Sequence, residues 1–572
     1  MTYRIISRNL FILAILMLFV LNACMKEENK EKEPDRSDQE AEHNMDNEIK
    51  TPDEERNGPA DPLGKYDPPI EISTVRILGE SIVFPEGQSV HDNVWYEDYK
   101  NSLGINLKNK WVVSHHSGEQ KMNISIASGD LPDFFAVNAN QLKRLIEADM
   151  IMDLTEIFES YASPLTREIL AQNPTSLPSA TFGGKLMAIP NTQSAIDYAH
   201  LVWVRTDWLE ELKLPEPKTM DDLIKISAAF SKFDPDGNKQ TNTVGLILTK
   251  DLIDGYGGYE GFMHGYHAYP MFWIKDEKGK LVYGSIQPEV RTALLQLQKM
   301  YKQGQMDREF GVKDMAKAAE AAAAGNNGIV FGQMWNPLWP ILSSKEHDRT
   351  IQWQAYPLVS ADGKPARPGI KAATTEYYVV NKGAAHPEAL IKMLNLFVER
   401  IWGDHTTFEQ FEKLYSSNGI EHHNYAAVQA WPSRKNLDIY LKVTEALRTK
   451  DTSKLNMEQL HTYNSIQAHL TGTGEAMEWA YERVFGEQGS FSVINQYLKD
   501  DLLVYDEFYG LPTPTMAEKN TILEKIEIEV FTKIIMGDPI ENFDKFVRDW
   551  WEIGGSQITK EVNEWHDSMQ GS

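Results

Sequence analysis

Apolar and polar residues alternate with a period of two over Ile70–Leu78, with a helical period over Val94–Leu103, and with a period of two again over Ile105–Val113. The spacing predicts strand, helix, strand. Gln120–Ala127 reads as a helix stopped by Ser128-Gly129-Asp130, and Leu131-Pro132-Asp133 leads into a short buried strand, Phe134–Val137. Gly184–Pro190 is a strand ended by its proline, and Leu201–Val204 begins another. The polar stretch Asn191–Ala199 between them is a candidate crossing between domains. Helices follow over Asp207–Lys213, over Asp221–Phe230 behind a Thr219 cap, and over Pro288–Lys302.

The stretch from Gly328 to Trp339, G-I-V-F-G-Q-M-W-N-P-L-W, organises what surrounds it. An alanine-rich helix runs into Gly325, a buried strand (Ile329, Val330, Phe331) sits between glycines, and a loop then carries Trp335, Asn336 and Trp339. Ile351–Leu358 and Thr375–Val380 are further strands, and Pro387–Glu399 is a helix with proline in its first turn. From Asn436 onward the pattern is almost wholly helical and without strands. Strands alternating with helices call for α/β sheets, whose ligand sites lie outside the carboxyl ends of the strands.

The ends of the chain add an address. Arg4 and Arg8 precede an apolar run, Leu10–Leu21, and then Asn22-Ala23-Cys24, the pattern of a secretory signal over residues 1–23. The run is shorter than the roughly 20 residues of a permanent membrane helix. Cys24, the only cysteine, stands where a lipobox (L-N-A-C) carries its lipidated residue; a stray cysteine in a cleaved signal is the alternative. A lipidated Cys24 leaves the folded part without a thiol and so without disulfides, thiolate metal sites or a cysteine nucleophile. Residues 24–66 are polar and nearly free of large apolar side chains, a disordered tether reaching on the order of 140 Å at full stretch. The body is therefore expected on the extracellular face of the cell membrane, lipid-anchored. Its size calls for two or more domains. A net charge of −26 argues against nucleic acid and anionic lipid as partners.

Several short motifs recur in order: A-S-G-D-L-P-D (Ala127–Asp133), G-G-K-L-M-A-I-P (Gly183–Pro190), V-R-T-D-W-L (Val204–Leu209), D-P-D-G-N (Asp234–Asn238), G-I-V-F-G-Q-M-W, H-P-E-A (His386–Ala389) and G-G-S-Q-I-T-K-E-V-N-E-W (Gly554–Trp565). With the lipobox they resemble the extracellular solute-binding lipoproteins of carbohydrate ABC importers, over most of residues 70–565. The resemblance implies a two-lobed α/β, periplasmic-binding-protein-like fold (type II), each lobe a mostly parallel sheet flanked by helices, with a helical C-terminal extension. Residues 67–193 and 373–430 would form lobe 1, and 194–372 and 431–572 lobe 2.

A sugar ring offers an apolar C–H face that stacks on aromatic rings and hydroxyls that seek planar polar partners. Four loops have that composition. The loop after Val137 supplies Asn138, Asn140 and Gln141; Val137 and Asn140 stand where maltose-binding members carry an aromatic residue and a carboxylate. The second supplies Tyr266, His267 and Trp273, the third Trp335 and Asn336, and the fourth Glu376 and Tyr377. Asp197 and Tyr198, and Trp431 and Arg434, flank the expected crossings. A structural role is the alternative at each of these positions. Asp234, Asp236, Asn238, Gln240, Asn242 and Thr243 alternate oxygen donors as a calcium loop does, although Lys239 and Gly245 depart from the EF-hand rule; an Asx-stabilised turn is the alternative. No G-x-S-x-G, H-E-x-x-H or phosphate loop appears.

The expectation is a monomeric binding protein without catalytic residues that captures an oligosaccharide between its lobes and delivers it to an ABC permease. It would need no cofactor beyond a structural calcium. A surface glycoside hydrolase or lyase and a peptide- or signal-binding lipoprotein are the alternatives. Neutral and acidic oligosaccharides are both compatible with the residues.

Overall fold

Three clusters of buried apolar side chains define the architecture of this computed structural model. It describes residues 60–570 except 80, 81, 234, 241, 254, 372, 373, 375, 404, 405, 418 and 419. The signal, Cys24 and the tether up to residue 59 lie outside the described residues. Those described belong to one unit, Pro59–Ser572. The first cluster draws on Ile72–Ile189 and again on Tyr377–Ala430. The second and third draw on Ile196–Ile370 and on Leu437–Val562. The chain therefore passes between the first cluster and the other two at 189–196, 370–377 and 430–437.

On the first cluster Ile70–Leu78 pairs in parallel with Ile105–Ser114, Ile70 opposite Ile105. Tyr377–Val380 lies between Phe134–Val137 and Ile189–Pro190 and is antiparallel to both. The second sheet runs in the order Trp353–Tyr356, Leu201–Arg205, Asn327–Gly332, Val244–Leu246. Leu201–Arg205 is antiparallel to both its neighbours, whereas Asn327–Gly332 and Val244–Leu246 are parallel. The expectation of mostly parallel sheets is corrected here at the level of pairing. Each odd strand is the first one after a crossing, so it enters its sheet against the run of the strands reached by local connections. Placed inside the sheet, it turns both of its ladders antiparallel.

Local elements follow their signals closely, with a few differences. The helix at Val94 opens on Asn93, whose Oδ1 accepts from the Trp95 and Tyr96 amides, and passes into a π-turn over Tyr99–Leu103. Thr219 and Asp222 form a reciprocal capping box on Met220–Lys232. Pro387 occupies the N-cap of Glu388–Trp402 rather than its first turn. The C-terminal block is not strandless. Val504–Tyr505 pairs in parallel with Gly369–Ile370, and the Asp506 amide donates to the Ile370 carbonyl at 2.9 Å. Two residues have no periodicity by which a pattern could reveal them. The block divides: Lys435–Lys499 packs on the third cluster and Pro514–Gln570 on the second. Between these parts, Leu511 packs against the first cluster and Lys143 Nζ donates to the Pro512 carbonyl at 2.9 Å. No described helix is long and apolar enough to cross a membrane.

Two buried acids make stability depend on pH. Glu527, 1% exposed, accepts from Ser285 Oγ at 2.7 Å and Tyr283 OH at 3.1 Å. Burial pushes its carboxyl up to about 8 against these hydroxyls, with Glu524 adding to the rise and Lys371 opposing it. Burial likewise pushes Asp506 up to about 7, although the Trp273 and Phe508 amides donate to it. The folded protein keeps protons that the unfolded chain releases near the ordinary carboxylate range. Their stabilising contribution is thus full below about pH 4 and lost as pH rises through 7 and 8. Thermal unfolding is expected several degrees lower at pH 9 than at pH 6. Glu527→Gln removes part of that slope, and an unchanged slope would assign the trend to other groups.

Candidate functional site

The three crossings lie side by side. Along one edge of the 191–199 segment, Asn191 donates its amide to the Glu376 carbonyl at 2.9 Å and its Nδ2 to Glu376 Oε2 at 3.1 Å. Along the other, the Trp431 amide donates to the Thr192 carbonyl at 3.2 Å and Thr192 Oγ1 donates to the Trp431 carbonyl at 3.0 Å. Ser194 Oγ donates to the Ser433 carbonyl at 2.8 Å. The first crossing is thus held between the other two.

Beside this ribbon opens a cavity of about 370 Å³ lined by Gln193, Ser194, Asp197, Tyr198, Trp335, Trp431 and residues from Tyr415 to Asn436. Trp335 packs on the third cluster and meets Tyr198 edge-on, with ring centroids 5.1 Å apart. Trp431 packs on the first cluster, edge-on to His423 at 5.1 Å and to Trp402 at 5.4 Å. Aromatic rings therefore stand on both sides of the gap. The lining also carries the side-chain amides of Gln193, Asn424, Gln429 and Asn436.

Three ionisable groups shape the walls. Asp197, 7% exposed, shares the single Ser194 Oγ proton with the Ser433 carbonyl, Oγ lying 2.8 Å from each acceptor, and accepts from Asn436 Nδ2 at 2.6 Å. Burial pushes its carboxyl up to about 6, the two hydrogen bonds and Lys435 opposing. Lys435 Nζ pairs with Glu458 at 2.6 Å and donates to Tyr415 OH at 2.9 Å, beneath the rings of Trp402, Tyr415 and Trp431. Burial disfavours its charge, but Glu458 and Tyr415 outweigh that and raise it above the ordinary lysine range. Burial lowers the His423 imidazole, against Glu421 and the Tyr415 carbonyl.

Of the residues singled out from sequence, the cavity gathers Asp197, Tyr198, Trp335 and Trp431. The others lie elsewhere. Asn138 and Gln141 cap the helix Ala139–Glu147 reciprocally, and Gln141 Nε2 donates to Asn123 Oδ1 at 3.1 Å. Asn140 is exposed on that helix. Tyr266 packs on Phe262, His267 pairs with Asp362 at 3.2 Å, and Trp273 is buried against Tyr283. Asn336 is fully buried and accepts from the Gln333 amide at 3.2 Å. Glu376 is tied to Asn191, Tyr377 is 3% exposed in the middle strand, and Arg434 is exposed beside Asp438. The wall from Tyr415 to Gln429, with Lys435 and Asn436, escaped the sequence reading; its His422-His423-Asn424-Tyr425 run was the available signal.

In the oxygen-rich loop Asp234 lies outside the described residues. Asn238 Nδ2 donates to Asp236 Oδ2 at 2.8 Å and to Asn242 Oδ1 at 3.2 Å, and the Gln240 amide donates to Asn238 Oδ1 at 2.7 Å. Thr243 Oγ1 donates to the Phe230 carbonyl at 2.8 Å and so faces the preceding helix. Among the described residues no three carboxylates, imidazoles or thiolates gather as a metal site.

The tryptophan loop depends on Gly332. A Cβ there would lie 2.2 Å from Asn336 Nδ2, inside the fold of the loop. Gly332→Ala is expected to destabilise by about 1–3 kcal/mol and to displace Trp335, read by denaturant unfolding and tryptophan fluorescence. An unaltered midpoint would mean that the loop yields without cost.

A second cavity, about 710 Å³, lies where Lys143, Glu147 and Phe182 face Tyr509–Pro514 and Trp565. It holds none of the candidate residues, so the smaller one, beside the crossings, is the better candidate.

Comparison with known proteins agrees with this arrangement. The chain is 23% identical over 455 residues to the polygalacturonan/rhamnogalacturonan-binding protein YtcQ of Bacillus subtilis, covering 78% of this chain and 82% of that one. It is 22% identical over 478 residues to Lipoprotein LipO of the same organism, covering 82% and 87%. The structure of the Streptococcus pneumoniae ABC-transporter substrate-binding protein FusA with kestose superposes with a TM-score of 0.62 at 15% identity, covering 88% of this chain and all of that one. An EF-hand mutant of FusA with fructo-nystose gives 0.61 at 14% identity, with 88% and 100% covered. The fold is the two-lobed, type II periplasmic-binding-protein-like α/β class. The model of the bacterial extracellular solute-binding proteins matches residues 96–399. With more than half of its length matched, the chain belongs to that family of binding proteins, not enzymes.

Proposed function

We propose that the protein captures an oligosaccharide between two lobes, residues 67–193 with 373–430 and residues 194–372 with 431–572, and hands it to an ABC permease. The single observation that carries this reading is the pair of ring sets in one cavity, Trp335 packed on the third cluster and Trp431, edge-on to His423, packed on the first, with side-chain amides in the same lining. A sugar bridging both walls binds the closed arrangement better than the open one and shifts the population toward it. Relatives named for pectic and fructose-containing oligosaccharides support the substrate class. The signal and Cys24 support a body tethered by lipid outside the cell membrane. In a thermal-shift screen of the body without its tether, a true ligand raises the melting point by mass action, about 2.7 kcal/mol at a hundredfold excess over Kd. A response to peptides and to no sugar would defeat the proposal.

The loop at Asp236 supports a structural calcium ion in part. Its hard oxygen donors suit calcium, and Asp236 Oδ2 and Asn242 Oδ1 face one point, which the Asn238 amide now fills. Millimolar calcium is expected to raise the melting point, and Asp236→Ala to abolish the rise. No difference between calcium and a chelator would leave the loop as an Asx turn.

A further inference from the structure

The charge of the ligand can be read from the cations that the cavity offers. An acidic sugar entering a partly desolvated gap needs a positive partner there, because a carboxylate stripped of water without one is strongly disfavoured. Recognition of uronic acids therefore calls for arginine or lysine heads aimed into the site.

Lys435 is the one lysine or arginine among the described residues lining the cavity, and it is already engaged. Its ammonium holds Glu458 at 2.6 Å and Tyr415 OH at 2.9 Å, and its side chain and that of Glu458 are each only 14% exposed. Arg434, next in sequence, is exposed outside the lining and lies 3.8 Å from Asp438. None of the internal residues left undescribed is a lysine or arginine.

The same walls carry negative charge. Asp197 and Glu421 both line the gap. Glu421 is exposed at the mouth, 4.0 Å from His423 Nε2. An incoming carboxylate meets two acids and no available cation, on a chain whose net charge is already −26. The other polar groups of the lining are the Ser194, Tyr198 and Tyr415 hydroxyls, the His423 imidazole and side-chain amides, most of which both donate and accept. That suits a hydroxyl, which also does both, better than a carboxylate, which only accepts.

We infer that the ligand is an uncharged oligosaccharide, unlike the polygalacturonan and rhamnogalacturonan for which YtcQ is named, and that chains of uronic acids are rejected for want of a free lysine or arginine in the lining of this cavity. This rests on the reading of the cavity as the sugar site.

The test is calorimetric titration of neutral oligosaccharides and of acidic ones matched in length, including oligogalacturonates and their carboxyl-reduced forms, against the wild type, Trp335→Ala and Glu421→Lys. The expected result is binding from the neutral set only. Acidic members bind at least tenfold more weakly, and the neutral affinity is nearly insensitive to salt. Glu421→Lys supplies the missing cation and is expected to strengthen acidic binding at least tenfold relative to wild type. Tight acidic binding that Trp335→Ala weakens would overturn the charge inference and leave the site standing. Sugar binding that Trp335→Ala leaves unchanged would overturn the site itself and with it this inference. Silence from both sets would count against both.

Discussion

Trp335→Ala is expected to weaken oligosaccharide binding by on the order of 1–3 kcal/mol while the protein stays folded. The ring is half-buried at the end of its strand, and it touches Tyr198 where a ligand would lie. Its removal takes away a stacking surface and leaves the buried strand residues Ile329, Val330 and Phe331 untouched. Trp335→Phe keeps part of that surface and is expected to fall between. The measurement is a titration alongside far-ultraviolet dichroism of each variant. Equal affinities for all three would exclude stacking at this position.

The second large effect belongs to stability. Glu458→Ala strands the Lys435 ammonium beneath three aromatic rings, with Tyr415 OH as its remaining close partner. Removing one member of a buried pair costs about 3–5 kcal/mol, since the other charge is left without compensation. Replacing both residues, as Lys435→Met with Glu458→Leu, is expected to recover most of that loss. The rings already supply an apolar surrounding for a side chain of similar length. Denaturant unfolding of the two single variants and the double one gives the coupling directly. Additive losses would mean that the two charges act through water rather than on each other.

Much of the architecture was legible because its signals are local. Alternation and flanking glycines marked Ile70–Leu78, Phe134–Val137 and the strand before Trp335, and each forms where those signals stand. The antiparallel sense of Tyr377–Val380 was not legible, because it depends on how the chain returns across the molecule. The candidate site divides in the same way. Trp335 announces itself by following a buried strand. Asn138 and Gln141 have the composition of a sugar site, yet the same N-x-x-Q spacing is that of a capping box, and the helix uses it so. The partners of Thr192 and Asp197 lie 239 residues away, at Trp431 and Asn436. No local pattern encodes a meeting of that kind, and with it went the wall from Tyr415 to Gln429.

The contact at Lys143 and Pro512 bears on how fast the molecule can let go of what it holds. It ties a helix on the first cluster to the C-terminal block. If the two proposed lobes swing apart about the ribbon of crossings, this contact breaks and Leu511, half-buried against the first cluster, is uncovered further. Escape would then be governed by a fastening that touches no part of the captured molecule, so that release could be slowed or hastened in evolution without altering what is recognised.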